Sequence, residues 1–174
     1  MKRIICLILP MVWLLCSCGN GGSNSINQSD STSKSLNDNI VGIDRTISGE
    51  YFDISITDVK WTDALETSLG TVTPQNNESK LLCVIFSSIN STDETKNLGM
   101  FNAYVDKHSV LSSVVVGGVD DAMVFVGAVA GGMEMEAYSV WELPEDWEEF
   151  QLNYFEATGS ECKQHFVIYR EDIE

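Results

Sequence analysis

The chain has 174 residues, 44% hydrophobic and 21% charged, the composition of a folded domain rather than of a disordered polymer. Twenty-six acids against ten Lys and Arg give a net charge of −16. That balance argues against a nucleic-acid binder, whose affinity for phosphate comes from Lys and Arg, and against a polybasic grip on anionic lipid.

Met1-Lys2-Arg3 is a short positive start, and Ile4 to Leu15 is an uncharged apolar run of twelve. A membrane-spanning helix needs about 20 such residues, so the run reads as the core of a secretory signal peptide, residues 1–17. Its exit, Leu15-Cys16-Ser17-Cys18-Gly19, resembles the bacterial lipobox. The resemblance implies cleavage between Ser17 and Cys18 and lipidation of Cys18, with Cys16 a departure at the middle position. Each buried methylene contributes about 0.8 kcal/mol, so two or more acyl chains hold stably where one holds reversibly. Loss of Lys2 and Arg3 would take the net charge from −16 to −18.

Gly19 to Asn39 is mostly Ser, Asn, Gly, Gln and Thr, with two aliphatics, Ile26 and Leu36. Such a stretch cannot bury enough apolar surface to offset its ordering entropy. As a flexible coil it reaches about 25 Å, enough to hold a domain off a membrane. The expected organisation is a signal peptide (1–17), a lipidated cysteine with a disordered linker (18–46), and one domain (47–174).

The domain reads as β. Phe52, Ile54 and Ile56 alternate with Asp53, Ser55 and Thr57, a strand with one buried face. Lys80 to Ile89 is apolar on both faces, a central strand, and Asn90 to Glu94 is loop chemistry. Further strands are expected at Leu98 to Val105, Val110 to Val116, Ala122 to Val129 and Glu136 to Leu143. The last two are expected around Phe150-Leu152-Tyr154 and Phe166-Ile168-Arg170, with Gly159-Ser160 turning between them. Only Pro144 to Glu149 has room for a helix, of about one turn. Short strands joined by short loops leave no space for crossover helices and predict an all-β, antiparallel sandwich of seven or eight strands.

Several of these segments together resemble the immunoglobulin-like "immunoprotective extracellular" domain of Gram-positive lipoproteins. They are YFDISITDVKW before a variable loop, Lys80-Leu81-Leu82 running into Asn90, and Phe101 to Asp106. A Gly131-Gly132 turn then leads to Trp141-Glu142-Leu143-Pro144, and a closing strand pair follows. The similarity spans about Ile47 to Glu171 and departs at Ala130-Gly131-Gly132, where the family more often has Pro-Gly. It implies an immunoglobulin-like sandwich on a membrane-anchored, extracytoplasmic lipoprotein and assigns no activity.

Chemistry-bearing residues are few. Cys83 and Cys162 are a candidate disulfide, closing a loop of about 80 residues worth roughly 4 kcal/mol in the chain-entropy model, against the alternative of two free thiols. His108 and His165 belong to no repeated Cys/His ligand motif, so no metal and no cofactor is expected. Glu142, Glu145, Asp146, Glu148 and Glu149 form the densest acidic stretch, read as a solvated loop. No Gly-x-Ser-x-Gly elbow is present, and no catalytic residue is assigned. Trp61 and Trp147 lie in or beside loops and could contact a glycan or peptide, with burial in the core as the alternative. The expectation is a non-enzymatic binding module on an extracytoplasmic membrane anchor, its partner an unidentified protein or glycan. The competing expectation is a small-ligand-binding or hydrolytic lipoprotein using the 142–149 region.

Overall fold

A computed structural model describes residues 40–43, 45–156 and 164–173. The signal segment 1–17, Cys18, the tether through residue 39, the Gly159-Ser160 turn and Cys162 lie outside the described residues.

The strands, in chain order, are β1 (Ile40–Val41), β2 (Thr46–Ser48), β3 (Phe52–Thr62), β4 (Leu65–Thr67), β5 (Gly70–Val72), β6 (Ser79–Asn90) and β7 (Lys96–Asn97). Then come β8 (Met100–Val105), β9 (His108–Val110), β10 (Met123–Val124), β11 (Ala128–Val129), β12 (Glu134–Pro144), β13 (Glu149–Phe155) and β14 (His165–Tyr169). One five-stranded sheet has the order β1-β14-β13-β8-β9 and the other β10-β12-β6-β3-β2. The fold is the expected all-β sandwich. Long neighbours pair antiparallel, but the two-residue edge strands β1 and β10 pair parallel with β14 and β12. Neither is joined to its partner strand by a tight hairpin, so no turn dictates the direction of that pairing.

β6 sits in the middle of its sheet because both its faces are apolar. Leu82, Val84 and Phe86 point into the space between the sheets, where Phe86 stacks on Phe101 (centroids 4.6 Å) and lies 6.5 Å from Phe166. Trp141 of β12 meets Phe150 of β13 at 5.0 Å in the same core. Leu81, Cys83 and Ile85 point the other way, into a second, smaller core on the outer face. β3 changes parity partway. Phe52, Ile54 and Ile56 face the main core, the register shifts between Ile56 and Asp58, and thereafter Val59 and Trp61 face it. A single bulge residue, Thr57, inverts the alternation.

Glu156, just past β13, fastens one sheet to the other. Its carboxylate accepts the backbone N–H of Glu50 (2.7 Å), Tyr51 (2.8 Å) and Phe52 (2.9 Å) at the β2–β3 turn. Three converging N–H donors suit a carboxylate because each bond is charge-assisted.

Three expectations need correction. Val110 to Val116 is not a strand: pairing ends at Val110, and the segment turns onto the outer face of the second sheet, touching it through an isolated bridge from Ser113 to Val140. Ala122 to Val129 is two short strands, β10 and β11, which join different sheets. Pro144 to Glu149 is no helix: Pro144 ends β12 and residues 145–148 form a turn, held because the Asp106 carboxylate accepts the N–H groups of Glu148 and Glu149. The segment expected as a linker, 18–46, supplies β1 and the first residue of β2 at its described end.

Candidate functional site

The outer face of β6 and β12 presents Leu81, Cys83, Ile85, Tyr138 and Val140, which must be covered to leave water. The β4–β5 hairpin contributes Leu65, and the chain between β9 and β10 contributes Val115, Val119 and Ala122. This β9–β10 connection is a strap, fastened along its length. The Ser113 N–H donates to the Val140 carbonyl (2.7 Å), and the Tyr138 hydroxyl donates to the Gly117 carbonyl (2.7 Å). The Ser68 N–H donates to the Gly118 carbonyl (2.8 Å), and the Gly118 N–H donates to the Ser68 hydroxyl (2.8 Å). Gly117 has φ +96°, a conformation that strains any side chain, so the bend falls where a glycine stands. Lys60 of β3 donates to the Asp120 carboxylate and lies 3.9 Å from Asp58. The hydrogen bond to Asp120 holds the Lys60 ammonium above the usual lysine pKa.

Only alternate strap residues fit beneath it. Val115 points down, so Val114 and Val116 point out, and the opposite side of the strap is left apolar. Leu111 is 90% exposed and Val114 95% exposed. Leu69 at the hairpin tip and Met123 and Val126 at the sheet edge are also mostly exposed. Between hairpin tip, strap and edge strand lies an open cleft of about 620 Å³, walled by Leu69, Met123, Val126 and Met135 and rimmed by Asp120 and Asp121. Single exposed apolar residues are ordinary; here several stand on one fastened segment beside a cleft.

The residues named from sequence fall elsewhere. Trp147 is 2% exposed and packs edge-on against Trp61 (5.7 Å) and Phe150 (6.3 Å), so it is core and offers no platform to a ligand. The surrounding aromatic cluster draws it inward although it stands in a turn. Trp61 is half-buried, with the Arg170 guanidinium 5.3 Å from its ring centroid. In the acidic stretch, the Glu142 carboxylate accepts the N–H groups of Gln75 (2.9 Å) and Asn76 (2.8 Å), and Glu145 lies 3.8 Å from Lys80. Those acids fix loops, and among the described residues no group of three ligating side chains could hold a metal ion. The His108 Nδ1–H donates to the Asp106 carbonyl of the β8–β9 turn (3.0 Å), and burial lowers the His165 imidazole from its ordinary value.

Cys83 is a free thiol at zero exposure beneath the strap. Burial pushes it up to about 12 from the ordinary 9.0. The thiolate is the reactive form, so Cys83 is expected to resist alkylation at pH 8 while the strap is closed. Labelling followed by mass spectrometry of its peptide should show modification only in denaturant. Modification of the native protein would mean an open strap, and a Cys83 that needs reductant as well would be disulfide-bonded. The folded thiol titrates above the unfolded one, so its contribution to stability is full below about pH 9 and declines as pH rises toward about 12.

The sandwich matches solved structures. A Bacillus subtilis subsp. subtilis str. 168 protein, ycdA, described as a "putative lipoprotein", superposes with TM-score 0.54 at 14% identity. The match covers 73% of this chain and 39% of that one, so this chain spans well under half of that protein's length. An uncharacterized β-sandwich protein of Clostridium difficile 630 gives TM-score 0.53 at 12% identity, over 75% of this chain and 93% of that one. A conserved hypothetical protein of Bacillus anthracis gives 0.53 at 12% identity, over 65% and 88%. At these identities the likeness is one of fold. No family model and no curated protein matches the chain.

Proposed function

We propose that the chain is a lipid-anchored, extracytoplasmic binding module without catalysis, and that the outward side of the strap is its contact surface. The lipobox-like Leu15-Cys16-Ser17-Cys18 and the polar tether support the anchor, and so does the fold shared with a Bacillus subtilis protein described as a "putative lipoprotein". The observation that carries the binding reading is Val114, 95% exposed on a segment fastened at Ser113, Gly117, Gly118 and Asp120. A loose loop could fold such side chains away; a fastened one holds them in water. Among the described residues the cleft beside it is lined by apolar groups, backbone, the Ser68 hydroxyl and two carboxylates, with neither histidine on its wall.

A photo-crosslinking residue at Leu111, compared in cells with one at Lys107 on the β8–β9 turn, tests this. A reproducible protein or glycan adduct is expected from position 111 and not from 107. Val114→Asp is expected to abolish that adduct while changing stability by less than about 0.5 kcal/mol, because the side chain is already in water. Equal adducts from both positions, or none from 111, would sink the reading.

A further inference from the structure

We infer that the partner bound on the strap face is a protein segment that carries Lys or Arg beside apolar side chains. The inference rests on the binding reading above and gives that partner its chemistry. The cleft offers two things together: apolar walls at Leu69, Met123 and Val126, and a carboxylate rim at Asp120 and Asp121. No cation lines it. The nearest described lysine, Lys60, is bound to Asp120 and lies close to Asp58. Asp121 stands exposed, with no cation paired to it among the described residues.

The same charges discriminate among occupants. A second copy would bring a chain of net charge −16. Among its described cations, Lys60, Lys80 and Lys96 are held by carboxylates and Arg170 lies over Trp61, leaving Arg45 and Lys107. Like-charged partners are repelled at long range, so self-association through this face is disfavoured. An anionic bilayer is disfavoured for the same reason. A cationic, apolar segment gains on both counts: its side chains leave water against the cleft wall while its charges meet an unpaired acid.

The full chain in detergent, titrated with fluorescent octapeptides and read by anisotropy, tests this. The probes alternate Leu with Lys, Leu with Glu, and Ser with Lys. The Leu–Lys peptide is expected to bind at least tenfold tighter than the other two. Asp121→Asn should weaken it about fivefold, the size of one exposed charge contact, and 0.5 M salt should do the same. Glu78→Gln, an exposed acid away from this cleft, should leave binding unchanged. Equal binding of all three probes, no binding by any, or indifference to Asp121→Asn overturns the inference. Segments crosslinked in cells at position 111 separate the two failures. Captured segments that are acidic or uncharged sink the cationic partner and leave the binding module standing, whereas no capture at all sinks the module itself.

Discussion

Asn90→Ala is expected to destabilise the domain by about 3 kcal/mol, moving a urea midpoint by roughly 2 M. Asn90 ends the central strand at zero exposure, yet every polar atom of its side chain is paired. Its amide nitrogen donates to the Glu94 carbonyl (2.7 Å) and the Val129 carbonyl (2.8 Å). Its side-chain oxygen accepts from the Thr92 N–H (3.0 Å) and the Thr92 hydroxyl (2.8 Å). One amide thus ties the loop after β6 to β11, and its truncation strands a buried carbonyl that water cannot reach. Asn90→Asp makes a sharper test. A carboxylate there faces two carbonyl oxygens and can be tolerated only when protonated, so this variant should lose more stability at pH 7 than at pH 4. A variant as stable as the parent at both pH values would show that the loop does not depend on this residue.

The second large effect is expected at Gly99, between β7 and β8. A Cβ there would collide with the Phe155 carbonyl oxygen and come within 2.9 Å of the Glu156 Cα, both main-chain atoms. Main chain cannot swing aside as a flexible side-chain tip can. Gly99→Ala should therefore cost about 2–4 kcal/mol, the range of overpacking with a forced backbone shift. The displaced residues carry Glu156, whose carboxylate clasps the β2–β3 turn. A double variant with Glu156→Gln should accordingly be less destabilised than the sum of the two singles, because both loosen one joint. Strict additivity would separate the joint from the glycine.

What the residues disclose in advance depends on how local the cause is. Strands with one buried face were legible because Phe52-Ile54-Ile56 and Phe150-Leu152-Tyr154 keep period two. The run from Leu81 to Phe86 was legible as central because both of its faces are apolar. That run also implies a cover for its second face. The cover is hidden because Val110 to Val116 has the composition of a strand, and β-branched residues suit any extended backbone. Whether such a segment pairs with a neighbour or lies across a sheet is decided by tertiary partners, here Tyr138, Val140, Ser68 and Lys60. Trp147 misleads for the same reason: a turn full of acids reads as surface until Trp61 and Phe150 are seen beside it. The strap face could not be read from spacing, since its exposure follows from which valine points down.

The strap leaves one sheet at β9 and enters the other at β10, so its ends belong to different halves of the sandwich. Lifting it uncovers Leu81, Cys83 and Ile85 but leaves the inter-sheet core around Phe86 and Trp141 in place. The two clusters are therefore expected to open as two cooperative units of unequal size. Amide protons shielded only by the strap should exchange with solvent through a partial opening, at a lower free energy than those of β6 and β13, which wait for global unfolding. A partner that holds the strap from outside would slow the first set and leave the second almost untouched, so occupancy would be written in the exchange rates of a surface segment rather than in the melting of the whole domain.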